Sequence, residues 1–158
     1  MDNWKAIADK TKLLFNSKKF TKALKEVQSG LEKYPNQVHL LTLASDISRA
    51  SNDYVKSLEY ADLMITQYPD KPSGFFRSVQ DLLTLNSCIE AQDRIKLGLD
   101  KFPNHLNLLT TASDVYRASD NREKSLYYAG LLVNHHPNKW QGYGRAAQDL
   151  IVLERHEE

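Results

Sequence analysis

Four of the five prolines, Pro35, Pro69, Pro103 and Pro137, stand 34 residues apart. Their neighbours repeat with them, as Tyr34-Pro35-Asn36, Tyr68-Pro69-Asp70, Phe102-Pro103-Asn104 and His136-Pro137-Asn138. A fixed period of this length is the signature of a stacked helical array. Each proline ring blocks continuation of the helix before it, and the following Asn or Asp can cap the next one.

Between prolines the pattern divides into two helical segments. Leu41, Ala44 and Ser48 share one helical face, as do Leu109, Ala112 and Tyr116. The second segments carry Leu58, Ala61, Leu63 and Ile65, then Leu126, Ala129, Leu131 and Val133. Polar breaks at Ser17-Lys18-Lys19, Ser51-Asn52-Asp53, Asn86-Ser87 and Ser119-Asp120-Asn121 separate first segments from second. The expectation is four antiparallel helix pairs over about 4–37, 38–71, 72–105 and 106–138, with a final unpaired helix over 139–154. Together they would form one repeat domain over 1–158. No single pair can bury its own apolar face, so stacking must supply the core.

A longer period lies over the first. Residues 98–151 match residues 30–83 at about half of their positions. Leu40-Leu41-Thr42 returns as Leu108-Leu109-Thr110, and Ala44-Ser45-Asp46 as Ala112-Ser113-Asp114. Gly74-Phe75-Phe76-Arg77 becomes Gly142-Tyr143-Gly144-Arg145, and Gln80-Asp81-Leu82 becomes Gln148-Asp149-Leu150. Trp4 aligns with Trp140 at twice the offset. The unit of duplication is therefore a pair of unlike repeats.

With this period, helix–turn–helix pattern and terminal proline, the chain resembles a tetratricopeptide-repeat (TPR) array over residues about 4 to 154. A small residue opens each second helix, Ala23, Ser57, Ala91 and Ser125, each twelve residues before its proline. Ser45, Ser113 and Ala147 match the family's small residue inside the first helix. The family's Trp, Leu-Gly and Tyr series is largely absent, with only Tyr116 at the tyrosine position, and Val79 replaces a small residue. The resemblance implies an all-α, right-handed superhelical solenoid whose first helices line a concave groove. It implies no particular partner, because one fold carries many functions.

Thr42, Asp46 and Arg49 fall on one stripe beside the apolar face, repeated as Thr110, Asp114 and Arg117. The intervening helices carry Arg77 and Gln80, repeated as Arg145 and Gln148, with Phe76 beside them as an apolar anchor. These residues are the expected partner-binding groove, forming one continuous surface. Arginine offers a planar fork to a carboxylate, and glutamine can pair with peptide groups. The competing expectation is a purely structural ladder, in which Asp46 pairs with Arg49 or Arg77, and Asp114 with Arg117 or Arg145. The family's carboxylate clamp does not carry over. Lys12 and Asn16 could serve at one end, but Asp46, Gln80, Asp114 and Gln148 stand where that clamp wants Asn.

Other function classes find less support. Net charge is +1, from 21 Lys and Arg against 20 Asp and Glu, which advertises neither nucleic acid nor acidic lipid. The local lysines Lys10, Lys12, Lys18, Lys19, Lys22 and Lys25 lack an aromatic platform and read as a solvated surface. Cys88 is the only cysteine, which excludes an internal disulfide and a thiolate zinc site. His135-His136 point in different directions on a helix, so no metal or other cofactor is expected. No phosphate-cradling loop, HExxH helix or framed nucleophile points to catalysis. No apolar run is long enough to span a bilayer. The start, Met1-Asp2-Asn3-Trp4-Lys5, lacks a signal-peptide pattern, which fits a cytoplasmic protein.

The leading reading is a non-enzymatic scaffold that holds a protein or peptide segment, acidic segments included, in its groove. Three alternatives stand beside it. One is the TPR module of a bacterial surface-polysaccharide glycosyltransferase or sulfotransferase, suggested by the Pro69-to-Arg77 and Pro137-to-Arg145 pattern. The others are an RNA-binding helical repeat and an engineered or excised repeat array. The last helix carries Tyr143, Leu150 and Ile151 with no partner after it, so a monomer or a weak homodimer through that helix is expected.

Overall fold

The computed structural model describes residues 3–154, which contain nine α-helices and no strand. They are α1 (Trp4–Asn16), α2 (Phe20–Lys33), α3 (Val38–Ala50), α4 (Tyr54–Gln67), α5 (Ser73–Thr84), α6 (Cys88–Lys101), α7 (Leu106–Ala118), α8 (Arg122–His135) and α9 (Trp140–Val152). Two compact units divide the chain, Met1–Asp81 and Leu82–Glu158, with the boundary inside α5.

The turn inside each pair is built the same way. Lys18, Asn52, Asn86 and Asp120 all adopt a left-handed backbone, with φ between 56° and 60°. Glu154 repeats it after α9. The residue after each turn donates its N–H back to the helix just ended: Lys19 to Leu14, Asp53 to Ser48, Ser87 to Leu82 and Asn121 to Tyr116, at 2.7–2.9 Å. The left-handed residues donate to Phe15, Arg49, Leu83 and Arg117. Two such bonds around one left-handed residue close a helix end. Asn and Asp tolerate that conformation, whereas Lys18 and Glu154 take it at a cost. The next helix starts at once, and Asp53 and Asn121 accept hydrogen bonds from the N–H groups of Lys56 and Lys124.

The turn between pairs uses the residue before proline. Tyr34, Tyr68, Phe102 and His136 share φ near −134° and ψ near 60°, are half-buried, and donate N–H groups to Gly30, Met64, Gly98 and Leu132. In the first unit the Tyr68 hydroxyl donates to the carbonyl of Asn36. In the second unit His136 Nε2 makes the same link to the carbonyl of Asn104 at 2.7 Å. The imidazole has replaced a phenol without losing the contact, and it is therefore a packing residue.

In the first unit α2 lies against α1 and α3, and α4 against α3. Ala8, Val27, Leu40, Leu41, Ala44, Ile47, Ala61 and Met64 form its core. Leu63 is 44% exposed, contrary to its place in the expected apolar series, and Met64 points inward instead. In the second unit Ile95, Leu108, Leu109, Ala112, Val115, Ala129 and Leu132 are buried, with α7 on α6, α8 on α7 and α9 on α8. Tyr116 stacks on Tyr128 at 5.4 Å, and burial followed by the Tyr116 neighbour pushes the Tyr128 phenol up to about 12.

Glycine fixes the helix separations at two equivalent positions. A Cβ on Gly74 would stand 2.8 Å from the backbone nitrogen of Ile65, and one on Gly142 2.9 Å from that of Val133. Both meet backbone, which cannot swing aside. The duplicated Gly of the sequence thus seats α5 on α4 within the first unit, and α9 on α8.

Candidate functional site

In the first unit the stripe of α3 meets the middle of α5. Arg49 Nε donates to Asp81 Oδ1 at 2.9 Å, Nη1 to the Gln80 side-chain carbonyl at 3.0 Å, and Nη2 to the Arg77 carbonyl at 3.1 Å. Arg77 turns the other way and pairs with Asp46 at 2.5 Å. Beneath them the Ser57 hydroxyl, opening α4, donates to Asp81 Oδ2 at 2.6 Å. Since that proton is committed to a carboxylate, Ser45 must be the donor in its 3.1 Å contact with Ser57. The result is one polar chain: Arg77 to Ser45 at 3.5 Å, Ser45 to Ser57, Ser57 to Asp81, with Arg49 closing on Asp81.

The second unit repeats it at the duplicated positions. Arg117 donates to Asp149 Oδ1 and Oδ2, both at 3.0 Å, to Gln148 at 3.1 Å and to the Arg145 carbonyl at 3.2 Å. Arg145 pairs with Asp114 through two bonds, at 3.1 and 2.9 Å. Ser125 donates to Asp149, and Ser113 meets Ser125 at 2.9 Å. One element is new: Arg122 Nη1 lies 3.4 Å from Asp149, where the first unit has Tyr54.

These pairs differ in burial. Asp81 and Asp149 are shut off from solvent, with their arginines only partly exposed. Burial by itself raises the Asp149 carboxyl. The hydrogen bonds from Arg117 and Ser125, the Arg117 charge and the Arg122 contact outweigh it and hold the group below its usual range. Asp46 and Asp114 instead keep 36% and 40% of their side-chain surface, against 16% and 18% for Arg77 and Arg145.

Asp46 thus pairs with Arg77, and Asp114 with Arg145, as one arm of the ladder expectation has it. The other arm differs, because Arg49 and Arg117 reach Asp81 and Asp149. These two aspartates stand in the sequence only as repeated letters, and Ser57 and Ser125 only as small residues opening a helix, yet together they hold the network. The signal was there: Phe75, Ser78, Val79, Asp81 and Leu82 all lie at buried helical positions, and a carboxylate among them requires a cation.

The remaining groove candidates are placed as follows. Thr42 donates to the Val38 carbonyl at 2.8 Å within its own helix. Thr110 and Phe76 are half-buried. Gln80 and Gln148 are exposed and orient Arg49 and Arg117. A depression of about 630 Å³ lies elsewhere in the first unit, lined by Gln28, Leu31, Leu41, Tyr60 and Leu63.

Lys10, Lys12, Lys18, Lys19, Lys22 and Lys25 are all exposed, and Lys10 pairs with Glu26 at 2.7 Å. Burial, then the charge of His136, lowers the pKa of His105. Among the described residues there is no cluster of three His, Cys, Asp or Glu side chains that could hold a metal ion. None of their helices is long and apolar enough to cross a membrane.

No family model and no curated protein matches the chain. Solved structures do match in fold. MamA of Desulfovibrio magneticus, from residue 41 to its end, superposes with a TM-score of 0.80 at 13% identity, over 99% of this chain and 89% of that one. A thermophilic TPR protein of Thermus thermophilus gives 0.77 at 13% identity, over 96% and 84%. YrrB, described as a TPR protein with an unusual peptide-binding site, gives 0.69 at 12% identity, over 96% and 78%. The chain has the TPR fold, as its resemblance implied.

Proposed function

We propose that this protein is a non-enzymatic interaction scaffold that holds a segment of a protein partner against the exposed side of its first helices. The observation that carries this reading is the half-exposed Arg77–Asp46 pair, repeated as Arg145–Asp114. A fully buried pair would serve only the fold. Here each aspartate keeps open surface beside a guanidinium that is already held in one orientation. A partner carboxylate or backbone carbonyl can share the arginine, and a partner amide can meet the aspartate. Thr42 and Thr110 stand one helical turn before Asp46 and Asp114, Phe76 adjoins Arg77 in the chain, and Gln80 and Gln148 hold Arg49 and Arg117. Arg49 and Arg117 act from below, fixing the carbonyls of Arg77 and Arg145.

Preorganisation is the mechanism. An arginine held by its neighbours loses little freedom on binding, so a polar contact there gives more net affinity than one to a free surface side chain. No step of covalent chemistry is involved, and the single half-buried cysteine fits a cytoplasmic setting. The peptide-binding description of YrrB supports a peptide-like partner here.

The test is capture of peptides from a display library of extended segments by the intact protein and by an Arg77→Ala/Arg145→Ala variant. The expected result is that the intact protein selects peptides and the variant loses them. Circular dichroism should show unchanged helicity, because Arg49 and Arg117 still hold Asp81 and Asp149, the two carboxylates shut off from solvent. Equal capture by both proteins overturns the reading.

A further inference from the structure

The depression of about 630 Å³ in the first unit is lined by none of the residues of the arginine network. Its lining comes from α2, α3 and α4, so helices of the same unit stand around it. Leu41 and Tyr60 are buried beneath it, Leu31 is half-buried, and Leu63 stands 44% exposed at its edge. Gln28 Nε2, from α2, donates to the Tyr60 hydroxyl on α4 at 3.3 Å, which leaves the phenol its own proton to donate. The duplicated positions of the second unit are built differently. Tyr116 stands where the first unit has Ser48, and it stacks on Tyr128, which stays half-buried. Tyr60 has no such ring beside it and lies deeper, at 9% exposed. Gln28 and Gln67 also give way there to Lys96 and His135.

An apolar base with a few polar groups at the mouth is the usual make-up of a binding site. Charge selects what enters this one. Glu32 is the single charged residue of the lining; it is exposed and makes no ion pair or hydrogen bond within the described residues. Gln67, also exposed, is likewise unbonded there. We propose that this depression is a second protein-docking site, which takes apolar side chains of a partner segment carrying Lys or Arg beside them. Leu31, Leu41 and Leu63 receive the apolar side chains, and Glu32 meets the cation. The Tyr60 hydroxyl can donate to a backbone carbonyl of the segment, and Gln67 can pair with its peptide groups. An acidic segment, or an acyl chain ending in a carboxylate, would bring its charge against Glu32. The arginine pairs favour carboxylates instead, so the two surfaces have opposite charge preferences and the two readings fail separately.

The experiment is an array of short synthetic peptides that carry two Leu or Phe residues at varied spacing, flanked by Lys, Ser or Glu. It is probed with the full chain and with Arg77→Ala/Arg145→Ala, which removes the competing preference for acidic segments. Both proteins should retain the Lys-flanked series equally. In the arginine variant that series should bind about threefold to tenfold better than the Glu-flanked one, as an exposed charge pair allows. Adding Glu32→Lys should reverse the order. Adding Leu63→Glu should weaken the Lys-flanked and Ser-flanked series by about tenfold or more, because a charge then stands in the apolar wall. Both replaced side chains are exposed, so melting curves should stay unchanged. If Leu63→Glu lowers the melting temperature, the reversal by Glu32→Lys decides alone. No retention of any series overturns the proposal. So does retention in the arginine variant that is indifferent to the flanking charge or to Glu32→Lys. Tighter binding of octanoate than of the Lys-flanked peptides would mark an acyl-ligand site and overturn it as well.

Discussion

A buried carboxylate is tolerated only with its cation, and the two copies of this network differ in how many cations they supply. Asp81 has Arg49, whereas Asp149 has Arg117 and, at 3.4 Å, Arg122. Removing Arg49 therefore strands a charge, while removing Arg117 leaves a substitute. Arg49→Met should cost about 2–4 kcal/mol in denaturant unfolding, and Arg117→Met measurably less. Equal losses would mean that Arg122 contributes nothing. The pH dependence follows from the depressed pKa of Asp149. A carboxyl whose pKa is lower folded than unfolded adds stability that is fully present above its unfolded value, about 3.9. That stability is lost as pH falls through the folded value. The parent's melting temperature should thus drop more steeply below about pH 4 than that of Asp149→Asn. Thermal melts of both proteins across the acid range check this.

Elements here are set by their ends and their closest approaches. Lys18 holds a left-handed backbone at φ 56° that glycine adopts freely, so Lys18→Gly should stabilise the protein by about 0.5–1 kcal/mol. Two glycines in adjacent helices make a sharper contrast. Gly130 on α8 has nothing within 4 Å of a built Cβ, and Gly130→Ala should stabilise by about 0.5–1 kcal/mol through helix propensity alone. Gly142 on α9 meets the Val133 backbone at 2.9 Å, and Gly142→Ala should destabilise by about 1–3 kcal/mol through overpacking. Chemical unfolding of the two variants separates propensity from packing, because the substitution is the same.

At the scale of the whole molecule, each helix borrows its stability from neighbours. The first helix α1 buries only Ala8 and Thr11, and α9 only Gly142 and Asp149, against seven residues in α3 and in α7. Native-state hydrogen exchange should therefore show α1 and α9 opening at lower free energy than α3 and α7, with no single global exchange rate. Uniform protection along the chain would contradict it. Helix number and turn positions were legible in the sequence, because the 34-residue period, the prolines and the polar breaks act locally. The last helix, expected over 139–154, spans Trp140–Val152. Ala44 and Ala112 were legible as buried for the same reason, since one helical face fixes them. The pairing of the arginines was not. Asp46, Asp81 and Arg77 are all within reach of a long side chain from α3, and periodicity cannot say which carboxylate is dry. Only the packing of α5 on α4, set by Gly74, turns Asp81 inward onto Ser57 and leaves Asp46 at the surface. Local sequence thus determined the elements, while desolvation, which exists only after the helices pack, decided which charges are shut off from water and which stay at the surface.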